Sequence, residues 1–242
     1  MAATNFPAYP SFPSLRLATA EDVVRMADLS VLEFKESEIF RYERPHYDQY
    51  PHDAVISFAN MYRSQLSNPR SLVIVAEDWR NPNEESHLPS RDSASERVVV
   101  GVASWYLPKG SLRTGQFAVP HVGDPEPLPN RDLCQRRWDI FTEVTEAEEK
   151  RYLAGTIICN KLVVHPSYRR RGHATFMLQW GLRLCDMDNV DQGVIPSHMG
   201  EPLYLSLGYK VIGEITIPDD GDVKGFDQRV ILYKAKQKGE EI

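Results

Sequence analysis

Residues 162 to 174 run Leu-Val-Val-His-Pro-Ser-Tyr-Arg-Arg-Arg-Gly-His-Ala, and apolar residues at helical spacing begin immediately after them. A β-rich run, a Pro turn, a basic loop with one Gly and then a helix together describe an anion cradle. The strand anchors the loop, and the unpaired amides at the helix start point at the same spot as the positive end of the helix dipole. Ala174, Met177, Leu178, Gly181, Leu184 and Cys185 recur at helical spacing, so one face of this helix is expected to dock on a sheet. Gly172 stands where a side chain would keep a phosphate away from the backbone. Arg169, Arg170 and Arg171 can add charge-assisted bonds around the mouth. Residue types alone leave a plain basic turn before an ordinary helix equally open.

Arg169-x-x-Gly172-x-Ala174, after a strand ending Val164-His165-Pro166, resembles the pyrophosphate-binding signature of the GNAT superfamily of acyl-CoA N-acyltransferases. Gly200-Glu201-Pro202-Leu203-Tyr204-Leu205-Ser206-Leu207-Gly208-Tyr209 is similar to the segment that follows the fifth strand in that family. Leu15-Arg16-Leu17-Ala18-Thr19 with Asp22 resembles the first strand and helix start, and Val99-Val100-Gly101-Val102-Ala103-Ser104-Trp105 the third strand as written in fungal members. The resemblance implies an α/β (α+β) fold, with a central mixed, mostly antiparallel sheet of about seven strands and helices on both faces. It implies acetyl-CoA as co-substrate. Its diphosphate would lie on Arg169, Arg170, Arg171, Gly172, His173, Ala174 and Thr175, and its pantetheine arm along the backbone of Leu162, Val163 and Val164. Further, it implies a splay between the fourth and fifth strands, and Tyr204 as general acid to the departing thiolate.

Composition sets limits on the rest. A 242-residue chain with 42% hydrophobic and 26% charged residues can fill one soluble core. The net charge of −6 argues against nucleic acid as partner, which needs a basic face, and makes the Arg triplet a local feature. No apolar run has membrane-spanning length, and the N-terminus lacks a secretory layout. Cys134, Cys159 and Cys185 form no close pair, and the seven His show no ligand spacing. No disulfide, metal or membrane partner is therefore expected. A reducing cytoplasmic compartment fits, with the nucleus left open, and the chain is read as monomer or homodimer.

Residues 1–13 read as an extended arm, 14–236 as a single acyltransferase domain and 237–242 as a tail. Within the domain, 79–96 read as a flexible loop and 107–150 as an insertion carrying a helix. Residues 41–52, crowded with Tyr, His, Arg and Pro, read as a loop edging the substrate cleft. Strands are expected at 71–77, 97–106, 156–164, 192–195, 210–218 and 228–234.

A base for the amine is harder to read. Glu33, Glu36, His46, Asp48 and Glu143 lie in segments expected near the cleft, and Asn160 stands where many relatives of this pattern carry a strand-borne carboxylate. His165 reads as exposed at the strand end. No Ser, His and Asp constellation is evident, so direct attack by a small-molecule or peptide amine in a ternary complex is expected rather than an acyl-enzyme. The competing functional class is a catalytically silent acyl-CoA-binding or regulatory module. A nucleotide-binding Rossmann domain fares worse, because its glycine fingerprint is absent.

Overall fold

The computed structural model describes residues 6–88 and 96–237. The expected arm, loop and tail thus fall partly outside the described residues, at 1–5, 89–95 and 238–242. In chain order the elements are β1 (Leu15–Leu17), α1 (Val23–Phe34), α2 (Glu38–Glu43), α3 (Pro51–Ser67), β2 (Ser71–Trp79) and β3 (Arg97–Tyr106). There follow α4 (Gln135–Tyr152), β4 (Ile157–Val164), α5 (His173–Asp188), β5 (Gln192–Val194), α6 (Glu201–Ser206), β6 (Lys210–Ile217) and β7 (Phe226–Tyr233).

The seven strands form one sheet in the order β1-β2-β3-β4-β5-β7-β6. Every neighbouring pair is antiparallel except β4 and β5, which run parallel. β2 and β3 read Leu-Val-Ile-Val-Ala and Val-Val-Val-Gly-Val-Ala, buried on both faces, so they form the middle of the sheet. One face is covered by α1 and α3, with Val73, Val75, Val102 and Val163 packed beneath Met26, Leu29, Tyr62 and Leu66. The other is covered by α5, with Ile74, Val100 and Trp105 packed beneath Met177, Leu178 and Leu184. Gly181 permits this approach, since a Cβ there would stand 2.7 Å from the Trp105 ring. A third cluster, including Tyr42, Leu153, Ile215 and Val230, seats α2 and α4 against the far hairpin.

The region 41–52 is not simply a loop. Its first residues complete α2, because Ser37 accepts a bond from the Phe40 N–H and starts a helix whose Phe40 and Tyr42 are buried. The connection after β2 lies against α1 and the segment after β4. Asp28, fully buried, accepts bonds from the Ser86 hydroxyl and the His87 N–H. Arg25 donates to Glu84 at 3.0 Å. From the arm, the carbonyls of Pro7 and Ala8 accept bonds from the buried Arg113 guanidinium.

Candidate active site

The site is made by a strand that outruns its neighbour. β5 pairs with β4 only at Ile157↔Gln192 and Ile158↔Gly193, while β4 continues to Val164. Beyond Ile158, the side of β4 turned to β5 is left open. A cleft of about 560 Å³ follows that opening. Leu162 and Val164 line it from the strand, Met199, Gly200 and Leu203 from around α6, and Glu33, Phe34 and Ser37 from α1 and α2. The cleft therefore reaches from the α5 side of the sheet to the α1 side.

At its α5 end lies the basic loop. Arg170 takes φ 64° and Gly172 φ 88°, two left-handed residues within three positions, which suits a nest of backbone N–H groups. Gly172 is the residue before α5, where the first helical amides have no carbonyl within the helix to bond. Arg169, Arg170, Gly172, His173, Ala174 and Thr175 all line the cleft.

The side chains behave differently from the expectation of an arginine-rich mouth. Arg169 donates to Glu33 at 2.6 Å. Arg171 donates to Asp78 at 2.9 Å, stacks 4.9 Å from the Tyr168 ring, and is not part of the cleft wall. His173 also meets Asp78, at 3.1 Å. Asp78 is held below the usual carboxylate range by these bonds and the Trp79 N–H, although burial, the largest influence, works the other way. Val163 faces the opposite core, so only its backbone can serve the cleft.

His165, expected at the surface, is fully buried. Its Nε2 lies 2.8 Å from the Glu85 carbonyl and its Nδ1 accepts the Ser167 N–H, because the connection after β2 folds over it. Burial lowers its pKa. It shapes the turn before the nest and does not touch the cleft.

Tyr204 is buried, with its hydroxyl 3.5 Å from Cys159 Sγ on β4 and its ring edge-on to Tyr209. A Cβ on Gly200 would lie 3.6 Å from the Tyr204 ring, so this phenol sits just beneath the cleft wall. Burial pushes the Tyr204 pKa well above its usual value, and pushes the Cys159 thiol up to about 12. Both groups keep their protons at neutral pH. Among the described residues, no three His, Cys, Asp or Glu side chains gather as a metal ligand set.

No family model matches the chain. It is 62% identical over 233 residues to a Stachybotrys chartarum protein named Acetyltransferase, covering 96% of each chain. Its fold is similar to that of a Corynebacterium glutamicum structure described as histone acetyltransferase HPA2 and related acetyltransferase. That match has a TM-score of 0.57 at 18% identity, over 95% of this chain and 99% of the other. The chain belongs with the acetyltransferases, and its fold is the GNAT fold. A second fold match is an insect protein assigned as arylalkylamine N-acetyltransferase 7, from the yellow fever mosquito. There the TM-score is 0.55 at 13% identity, over 92% and 87% of the two chains. At such identities these two likenesses speak for the GNAT fold alone.

Of the base candidates read from the sequence, only Glu33 lines the cleft. It is paired with Arg169, and burial raises its pKa despite that partner. Glu36 is exposed and bound to Arg41, His46 and Glu143 are exposed, and Asp48 borders a separate surface groove. Sequence reasoning passed over Lys161 of β4, and with it Glu43 of α2 and Glu149 of α4, two carboxyls whose charges bear on it. Lys161 lies 5.9 Å from the centre of the Phe34 ring, which is itself a cleft wall. The available signal was a charged residue inside the apolar run Ile157–Val164, where a solvated position is not expected.

Proposed function

We propose that the protein moves an acetyl group from acetyl-CoA to an amine of a small molecule or peptide, by direct attack in a ternary complex. The observation that carries this is the combination of the open side of β4 with the nest of left-handed residues at its end. Inward amides from Arg170 to Thr175 suit a diphosphate without a metal. The edge of β4 from Cys159 to Val164 that β5 leaves unpaired suits the amide groups of a pantetheine arm, laid on as a partial strand. An arm held at both points carries its thioester toward Cys159 and the Tyr204 hydroxyl.

Two buried protons support the chemistry. Tyr204, kept protonated, can donate to the thiolate as the carbon–sulfur bond breaks. Cys159, kept as a thiol, is a poor nucleophile, which favours direct transfer over an acyl-enzyme. Thiol release measured over a panel of amines tests the reading. Turnover should fall by ~100-fold or more in Tyr204→Phe, the usual scale for losing a general acid, while acetyl-CoA affinity stays within error. No turnover with any amine, with acetyl-CoA binding intact, would instead leave a silent acyl-CoA-binding module. Equal losses of turnover and affinity would make Tyr204 a packing residue.

A further inference from the structure

Two banks of the cleft are joined by a contact that bears on what can enter it. Ser37 lines the cleft from the turn between α1 and α2, and Ser197 and Met199 line it from the connection between β5 and α6. The residues beside and between them meet. Glu38 accepts the His198 N–H at 2.9 Å, and its carboxylate lies 3.3 Å from the His198 ring Nδ1.

Both banks are braced, so the contact joins two fixed elements. On the first, Ser37 is buried, its N–H donates to the Phe34 carbonyl at 2.7 Å, and its hydroxyl oxygen starts α2 by accepting the Phe40 N–H. On the second, the Ser197 carbonyl accepts the Gly200 and Glu201 N–H groups at 3.0 and 3.1 Å, and Gln228 of β7 donates to the Pro196 carbonyl. α2 is tied again to the far hairpin. The Tyr42 hydroxyl donates to the Pro218 carbonyl at 3.3 Å, and its buried ring stands edge-on to Phe226. From α4, Arg137 donates to Asp220 of the same hairpin's turn at 2.6 Å.

A polypeptide crossing a site needs an open groove. It advances about 3.3 Å per residue in both directions and carries backbone polar groups that must be paired. A bridge between braced banks denies it that groove. A lysine side chain is as slender as a free alkylamine, but it brings its backbone and neighbours up against the bridge. The cleft wall on this side includes Phe34, Met199 and Leu203, which favour an apolar body. Glu33 on the same wall is bound to Arg169 at 2.6 Å, so it does not mark out a cationic one.

We propose that the Glu38–His198 clasp sets the acceptor class: a small primary amine with an apolar body is admitted, and a lysine within a polypeptide chain is held out. The proposal rests on the acetyl-transfer reading above and narrows it. Glu38 and His198 act on access and not on the chemical step.

The test compares kcat/KM for thiol release with two acceptors, 2-phenylethylamine and a blocked tripeptide with a central lysine. Acetyl-CoA affinity is measured by calorimetry for each variant. Wild type should prefer the small amine by ~100-fold or more, within the range that pocket shape alone supplies. Glu38→Ala removes the acceptor of the His198 N–H and should narrow that preference by ~10-fold, the worth of one charge-assisted bond. The change should come from a lower KM for the tripeptide. Glu38→Gln keeps an oxygen for the same N–H and should return the preference toward wild type. Acetyl-CoA affinity should stay within error throughout. Equal efficiency with both acceptors in wild type overturns the proposal. So does a Glu38→Ala enzyme that loses both activities together, since a merely structural contact would act on both alike. Failure of wild type to bind acetyl-CoA, or binding without turnover of any amine, would instead sink the transfer reading beneath it.

Discussion

Replacing Gly172 by valine separates the conformational demand of the nest from its binding role. Gly172 holds φ 88° and ψ −3°, where an L side chain is crowded by its own carbonyl. That crowding destabilises the folded state by ~1–2 kcal/mol. The new Cβ would stand 3.4 Å from Phe176 Cε2, and that ring, 43% exposed, is free to swing aside. Strain alone should therefore lower the melting temperature by ~2–8 °C for a chain of this size.

Ligand affinity should suffer more. Branched methyl groups on the nest would hold a diphosphate off its amides, and each charge-assisted bond lost is worth ~1.5–3 kcal/mol. Two such bonds correspond to a rise in coenzyme A Kd of at least ~100-fold. Gly110→Val is the control. Gly110 takes φ 85°, a Cβ there meets nothing within 4 Å, and the residue lies outside the cleft. It should show a comparable melting shift with coenzyme A affinity intact. Calorimetry and thermal melts on both variants decide the matter. If Gly172→Val binds coenzyme A as tightly as Gly110→Val, the nest does not hold the diphosphate and the reasoning is refuted.

Two further outcomes concern the fold. Gly181→Ala places a methyl 2.7 Å from Trp105, between α5 and the sheet, and should destabilise by ~1–3 kcal/mol in a denaturant titration; an unchanged midpoint would mean that the helix can shift freely. Arg137 holds Asp220 down to about 2, from 3.8 in the unfolded chain. A depressed carboxyl stabilises the fold above its unfolded value, and that contribution is lost as pH falls through 3.8 toward 2. Asp220→Asn should accordingly flatten the acid-unfolding curve in that window, and a curve identical to wild type would show that the pair contributes nothing.

Much of the scaffold was legible because local and global signals agree. The run Ile157–Val164, the left-handed Gly172 and the stripe from Ala174 to Cys185 each point to strand, turn and docked helix without outside help. What escaped reading depended on contacts distant in sequence. Residues 41–43 are helical because Phe40 and Tyr42 find partners in Tyr47 and Phe226, and the sequence there shows mainly turn-forming and polar side chains. His165 is buried because the Glu85 carbonyl, 80 positions away, closes over it. Glu43, Lys161 and Glu149 each look like solvated charges when taken alone. The face that Lys161 takes depends on a register shift between β3 and β4 that no local periodicity encodes.

Only two residue pairs stitch β4 to β5, and the sheet is in effect two leaves sharing a short spine. Gln192 reinforces that spine by accepting from both the Trp105 indole and the Tyr209 hydroxyl, one from each leaf. A reactant arm laid between the leaves would act as a keystone, lending mechanical closure as well as an acyl group. Stability would then climb with the logarithm of reactant concentration, so a cell short of that reactant would hold this catalyst both idle and softened.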